Sequence, residues 1–391
     1  MLGENSVMME KVIDKIKEKY FVEQRFELSM EIVKEQYIVT SNEKKTLDYV
    51  KKMFYPSGVN GIKISKYSAA TNKKKVEFVY NTKRDDFNSL LAYLKEKWAY
   101  VGRTSPIRAS YYEVYEKDNV RCFVQDYTDE TSGEHLILTL NGEYIIFAME
   151  SKYDFMILAR FLREIAFRYL ENEQYVSFHS SSVLVGQDGY LIIGDSGTGK
   201  STMALTLCKY FGAHYVSNDR LMIRMNSECL HAIPFGMPIK INYGTLKTLG
   251  VSDEYEIWNN VIPMVSKASF FDYKGEHKLN LLPEELEKYL QIKTTNAMTI
   301  KGIILPSIRG KGGDKEKSTI REVLERNCYY DSDPIFVEDW LGLRVQPKTF
   351  TKKQIIDKLM ELPIYREEIE LTEFKKSANR IIQIINKGLS L

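Results

Sequence analysis

Eight consecutive residues constrain this chain more than any others: Gly194-Asp195-Ser196-Gly197-Thr198-Gly199-Lys200-Ser201. They fill the pattern G-x-x-x-x-G-K-[ST], the Walker A phosphate loop. The apolar run Leu191-Ile192-Ile193 precedes them, and the helical apolar run Met203, Ala204, Leu205 and Leu207 follows. A strand that turns on glycines into a helix aims its backbone N–H groups and the positive end of the helix dipole at one point, which is a site for anionic phosphate. We therefore expect Gly194, Asp195, Ser196, Gly197, Thr198, Gly199, Lys200, Ser201 and Thr202 to bind a nucleotide. Lys200 bridges its outer phosphates, and the Ser201 hydroxyl is a ligand for Mg²⁺, a hard cation that prefers oxygen.

The next apolar strand, Ala213-His214-Tyr215-Val216, runs into Ser217-Asn218-Asp219. An acid at that strand end, beside a phosphate loop, can hold metal or take the proton of an attacking hydroxyl. Asp219 is the expected base and second metal ligand, and His179, at the head of the strand pair leading into the loop, is the third catalytic candidate beside Lys200. Arg220, Lys240, Arg309, Lys311 and Lys315 are candidate phosphate or acceptor contacts.

The chain has 391 residues, which at ~150 per domain suggests two or three domains. Lys+Arg 55 against Asp+Glu 53 leaves a formal charge of +2, so there is no extended basic footprint for nucleic acid or an anionic membrane. Four scattered cysteines without a C-x-x-C pair argue against a zinc site or a disulfide framework and fit a reducing compartment. No apolar stretch reaches the ~20 residues of a membrane span, and the start of the chain enters a charged helix. These features predict a soluble, cytoplasmic protein.

Residues 1 to about 55 are expected to be helical, with Val12, Ile13, Ile16 and Tyr20 on one helix and Ser41 capping a second that carries Leu47, Val50 and Phe54. Strands are expected over 61–67 and 75–80, then a helix with Phe87, Leu90, Leu91, Leu94 and Trp98 on one face. A meander follows over 110–116, 120–127, 135–140 and 143–148, its last turn formed by Asn141-Gly142. A helix over about 154–170 closes this half, which predicts a domain boundary near 172. Strands over 175–185 and 190–194 open the second half, and residues 309–317 form a basic glycine-rich segment at a strand end.

His179-Ser180-Ser181-Ser182-Val183-Leu184-Val185, the phosphate loop through Thr202, and Val216-Ser217-Asn218-Asp219 together resemble the C-terminal catalytic domain of HPr kinase/phosphorylase and its relatives, which include lasso-peptide serine kinases. Ile233-Pro234-Phe235-Gly236-Met237-Pro238-Ile239-Lys240, Ile303-Ile304-Leu305-Pro306 and Leu362-Pro363-Ile364-Tyr365 are similar too, so the likeness covers about 173–391. The resemblance implies an α/β fold: a compact P-loop kinase domain of the HPr kinase and phosphoenolpyruvate carboxykinase-like type over 173–391. A smaller mixed, β-rich domain over 1–172, for accessory or substrate-docking use, would precede it. It also implies an active-site histidine and a paired Asp-Asp for metal and acceptor. Here Asn218 replaces the first acid, which removes one negative charge and leaves Asp219 as base. The signature of the reverse, phosphorolytic reaction has no match, so HPr is not the expected substrate.

The expectation is a kinase that uses ATP and Mg²⁺ to phosphorylate a hydroxyl, foremost a serine of a peptide or protein in a peptide-modification pathway. A metabolite hydroxyl is the alternative acceptor, and a nucleotide-dependent switch that transfers nothing is the rival class. Partners are then the acceptor alone, with no nucleic acid and no membrane, and the sequence permits a homo-oligomer.

Overall fold

The computed structural model describes residues 13–15, 17–22, 24–56, 58, 61–65, 72–107, 110–118, 120–128, 133–140, 142–151, 154–226, 228–251, 278–309, 319–328, 338–345 and 352–388. The expectations for Val12, Ile16, Tyr67, Asn141 and residues 310–317, with Lys311 and Lys315, lie outside them. The chain is mixed α/β and divides into two compact units. The first comprises 1–51, 61–169 and 332–344, and the second 52–60, 170–331 and 345–391.

The first unit is built on nine strands: β1 (Phe26–Ile32), β2 (Glu35–Ser41), β3 (Ile62–Ser65), β4 (Lys74–Thr82), β5 (Ala99–Ile107), β6 (Ser110–Lys117), β7 (Val120–Gln125), β8 (His135–Leu140) and β9 (Glu143–Met149). Their order is β3-β1-β2-β4-β9-β8-β7-β6-β5, with β4 parallel to both β2 and β9 and the other pairs antiparallel. The expected meander is present, and Leu140 pairs with Glu143 at the end of its last hairpin. Alternation along the strands loads both faces. Val124, Leu136, Leu138, Ile145 and Phe147 pack with Phe87, Leu90 and Leu94 of a helix over Arg84–Lys97 and with Trp98, the extended residue that follows it. On the opposite side Phe123 and Tyr112 meet Trp340, at ring-centroid distances of 4.8 and 5.2 Å. Asp154 caps the helix Phe155–Asn172 through the Phe155 N–H at 2.7 Å, at the start expected from the sequence.

The expectation that residues 1 to 55 are all helical is corrected. Residues 13–15 and 17–21 are helical and so is Lys44–Met53, but β1 and β2 form an antiparallel hairpin between them. Leu28, Met30 and Ile32 are buried there, with Leu28 opposite Val39 and Met30 opposite Tyr37. The hairpin turns at Val33-Lys34, with Val33 at φ 61°, a conformation a β-branched residue rarely takes, so no glycine or asparagine marks it. Ser41 does serve the following helix, its Oγ accepting the Glu43 N–H at 3.1 Å.

The second unit carries the eight-stranded sheet β10-β14-β15-β18-β12-β11-β13, with β19 on β18. Its strands are β10 (Val176–Phe178), β11 (Ser181–Val185), β12 (Asp188–Ile192), β13 (His214–Ser217), β14 (Leu221–Asn226), β15 (Cys229–Pro234), β18 (Met298–Ile308) and β19 (Ile364–Ile369), while β16 (Ile239–Asn242) and β17 (Lys278–Leu281) form a separate pair. The expected single strand over 175–185 is broken at His179-Ser180: β10 pairs with β14, whereas β11 pairs with β12 and β13.

Period-two alternation makes three layers of this unit. Tyr190 and Ile192 of β12 pack with Met203, Ala204 and Leu207 of α1 (Lys200–Phe211) and with Phe374, Ala378 and Ile381 of a helix over Phe374–Asn386. Leu191 and Ile193 face the other way, onto Leu324 of α2 (Ile320–Asn327) and Ile355, Ile356 and Leu359 of a helix over Lys352–Met360. Gly302 on β18 lies under two rings, and a Cβ there would come within 2.9 Å of Tyr365 and 3.0 Å of Tyr190. Gly302→Val is therefore expected to destabilise by about 1–3 kcal/mol through overpacking, read as a lowered denaturation midpoint with an unchanged m-value. Stability within 0.5 kcal/mol of the parent would contradict this packing. All four cysteines are free, with Cys122, Cys208 and Cys328 buried. Among the described residues no helix is long and apolar enough to cross a membrane.

Candidate functional site

The phosphate loop leaves the sheet where the parallel ladder of β12 and β18 ends, at the Ile193 N–H to Ile304 carbonyl bond of 3.1 Å. It enters α1 through Gly199, the N-cap residue, at φ 92°. A side chain at 199 would be strained in the backbone and would also meet the Phe374 ring at 2.9 Å. The loop closes on the Asp195 carbonyl, which accepts the Thr198 hydroxyl at 2.9 Å and the Lys200 ammonium at 3.0 Å. Lys200 also donates to the Gly194 carbonyl at 2.8 Å.

Ser196 and Gly197 are exposed at the tip of the loop, and Ser201 is half-buried in the first turn of α1. The Thr202 hydroxyl bonds the Thr245 hydroxyl at 2.9 Å, away from the loop's own backbone. Lys200 is only 8% exposed. Burial lowers its pKa, and the carboxylates of Asp219 and then Asp195 oppose that shift, so Asp219 is the stronger counter-charge on this ammonium.

β13 delivers the acid. Asn218 is fixed through its carbonyl, which accepts the Ser181 hydroxyl at 2.7 Å, and Asp219 follows it. The break between β10 and β11 turns His179 toward Asp219, its Nε2 lying 3.1 Å from the carboxylate. The His179 N–H donates to the Asn327 carbonyl at 2.7 Å, which holds the break against the end of α2. Burial alone would raise the pKa of Asp219. The His179 hydrogen bond, with the charges of Arg220, His179 and Lys240, outweighs burial and holds it at about 2. Asp219 is therefore a permanent anion over the working pH range.

A cleft opens on the far side of Asp219. Asn218, Asp219, Pro234 to Pro238, Tyr55, Pro56, Pro283, Thr294 and Thr295 contribute to its lining. Among these residues only Asp219 carries a charge. One wall is braced: the Tyr55 hydroxyl donates to Glu287 at 2.8 Å, and Glu287 accepts the Thr294 N–H at 3.3 Å. Asp219 thus lines this cleft while its charge also acts on Lys200 of the phosphate loop.

The oxygen donors suit Mg²⁺, which uses one or two carboxylates and keeps several waters and phosphate oxygens. The Asn218 Oδ1 is buried with no hydrogen-bond partner, an orphaned acceptor that a cation or its water would satisfy. The Asp219 carboxylate and the Ser201 hydroxyl are hard oxygens of the same kind.

Of the other cations singled out in the sequence, Arg220 lies 3.8 Å from Asp219 and Lys240 acts on it through charge. Arg309 is held by Glu368 at 3.2 Å and by Glu370. Two cations that sequence reasoning passed over lie nearby: Lys278, whose charge acts on Lys200, and Arg326, 3.7 Å from Asp195. Neither has a local sequence signal, because the tertiary fold alone brings them to the loop.

No family model matches the chain, and no curated protein matches it. Among solved structures it is similar to the HPr(Ser) kinase/phosphatase from Coxiella burnetii, at 13% identity and a TM-score of 0.22, over 37% of this chain and 73% of that one. That is a weak, distant structural resemblance, and the functional assignment rests on the site.

Proposed function

We propose that this chain is a kinase that binds Mg·ATP at residues 194–202 and transfers the γ-phosphoryl group to a hydroxyl, most readily a serine of a peptide or protein. The observation that carries the reading is that Asp219, whose charge acts on the buried Lys200, also lines a cleft. Phosphoryl transfer needs a cation-lined seat for the donor and an anionic oxygen where the acceptor's O–H arrives, with little covalent chemistry from the protein.

In this reading the loop N–H groups and Lys200 hold the outer phosphates and neutralise charge that builds on them. Mg²⁺, bound by Asp219 and Ser201 with Asn218, would supply further neutralisation of the phosphate oxygens. Asp219 orients the acceptor hydroxyl as a hydrogen-bond acceptor. A carboxylate with a pKa of about 2 is a weak base, so it receives the proton late, when the forming P–O bond has made the hydroxyl strongly acidic. His179 keeps the carboxylate turned to this task. Among the described lining residues the only charge is the Asp219 carboxylate, which repels an anionic metabolite and favours an uncharged acceptor such as a peptide hydroxyl. A cytoplasmic location fits the dependence on ATP.

The test is incubation of the full chain with γ-labelled ATP, Mg²⁺ and two acceptor pools: serine-containing peptides and small hydroxylated metabolites. Label in the peptide pool supports the reading. Label only in metabolites overturns the acceptor class, and release of inorganic phosphate with no labelled acceptor overturns the kinase in favour of a switch.

A further inference from the structure

Arg326 has no place in the sequence motif, yet it stands on the rim of the phosphate loop, with a guanidinium nitrogen 3.7 Å from the Asp195 carboxylate. The helix that carries it is anchored at both ends. Thr319 and Glu322 form a capping box at the start of α2, the Glu322 N–H donating to the Thr319 hydroxyl and the Thr319 N–H to the Glu322 carboxylate. At the other end the Asn327 carbonyl accepts the His179 N–H at 2.7 Å, and Cys328 bridges Phe178. Leu324, fully buried in the core beneath β12, holds the middle.

The residue before Asn327 is therefore rooted on the same element that braces His179, and His179 in turn meets Asp219. Arg326 thus stands at the loop's mouth, near the groups that the proposed transfer uses.

The contact with Asp195 is a weak one. Both side chains are about half exposed, 47% for Arg326 and 48% for Asp195, and an exposed pair at such a distance contributes about 0–1 kcal/mol. A pair this weak exchanges readily. A guanidinium presents a planar fork matched to phosphate oxygens, and a phosphate contact is stronger than the exposed carboxylate contact it would replace. Asp195 would otherwise repel an anionic nucleotide, and a cation beside it removes that penalty.

We propose that Arg326 is a second phosphate-binding cation of this site, supplied by α2, which exchanges Asp195 for the terminal phosphate of a bound nucleoside triphosphate. This rests on the kinase reading for the existence of the nucleotide site, and goes beyond it in naming the residue that tells triphosphate from diphosphate.

The experiment is calorimetric titration of the full chain with Mg·ATP and with Mg·ADP, for the parent, Arg326→Ala, Arg326→Gln and Arg326→Lys, each checked for an unchanged thermal melt. Arg326→Ala and Arg326→Gln are expected to weaken ATP about 10- to 100-fold and ADP less than about 3-fold, with Arg326→Lys in between. A folded variant that binds both nucleotides as the parent does, or loses both equally, overturns the proposal while leaving the nucleotide site intact. A parent that binds neither nucleotide overturns the kinase reading itself.

Discussion

Lys200→Met is expected to cut phosphoryl transfer by about 10²–10³-fold while leaving the thermal midpoint unchanged or slightly raised. The two effects have opposite signs for one physical reason. Lys200 is 8% exposed, and burial depresses its pKa, so the folded protein carries the cost of a desolvated ammonium. Methionine fills a similar volume without that cost. The Asp195 carbonyl keeps its bond from Thr198, while the Gly194 carbonyl gives up its bond from Lys200. The charge that the outer phosphates need is gone, however. Parallel measurements of transfer rate and melting temperature check this. A variant that melts far below the parent would show that Lys200 holds the loop together, and one that retains full transfer would remove it from the site.

Asp219→Asn is expected to lower transfer by about 10²–10⁴-fold, with a smaller change in the apparent affinity for nucleotide. The amide keeps the size of the side chain and loses the charge that His179, Arg220 and Lys240 surround. The pH dependence separates this role from others. A carboxylate depressed from 3.8 to about 2 stays ionised throughout the ordinary assay range, so Asp219 contributes no limb to the transfer profile above about pH 4.

Its contribution to stability has a definite sign. The folded-state pKa lies below the unfolded one, so the stabilisation is fully present above about pH 4 and is lost as pH falls through about 2. The shift corresponds to about 2 kcal/mol at neutral pH. Denaturation of parent and Asp219→Asn should therefore differ by about that amount at pH 7 and converge toward pH 2. A stability gap that widens on acidification would contradict the paired, ionised Asp219.

The part of the fold that was legible in the sequence is the part determined by near neighbours. Ile193, Gly194, Gly199 and Lys200 lie within one strand-to-helix turn, so glycine placement and apolar flanks suffice to read it. The hairpin of β8 and β9 and the helix capped by Asp154 are local in the same way. The hairpin of β1 and β2 was missed because Val33-Lys34 gives no turn signal and Lys34-Glu35-Gln36 are good helix formers.

Long-range features left no trace in any short window. Trp340 sits among Tyr112, Phe123 and Phe161, so residues 332–344 belong to the first unit although they follow most of the second. The break at His179-Ser180 is equally hidden, because the Asn327 carbonyl that satisfies the His179 N–H comes from much later in the chain. The loop and the strand ending at Asp219 could be named from the sequence. The cleft beyond Asp219 and the guanidinium of Arg326 at the rim could not, since several separate segments must fold before either exists.

The most direct test of this account is calorimetric titration of the full, folded chain with ATP in the presence of Mg²⁺, repeated on Lys200→Met. We expect one site per chain with a dissociation constant of about 1 μM–1 mM for the parent and a marked loss for the variant. Absence of binding by the folded parent, or equal binding by both proteins, would contradict it.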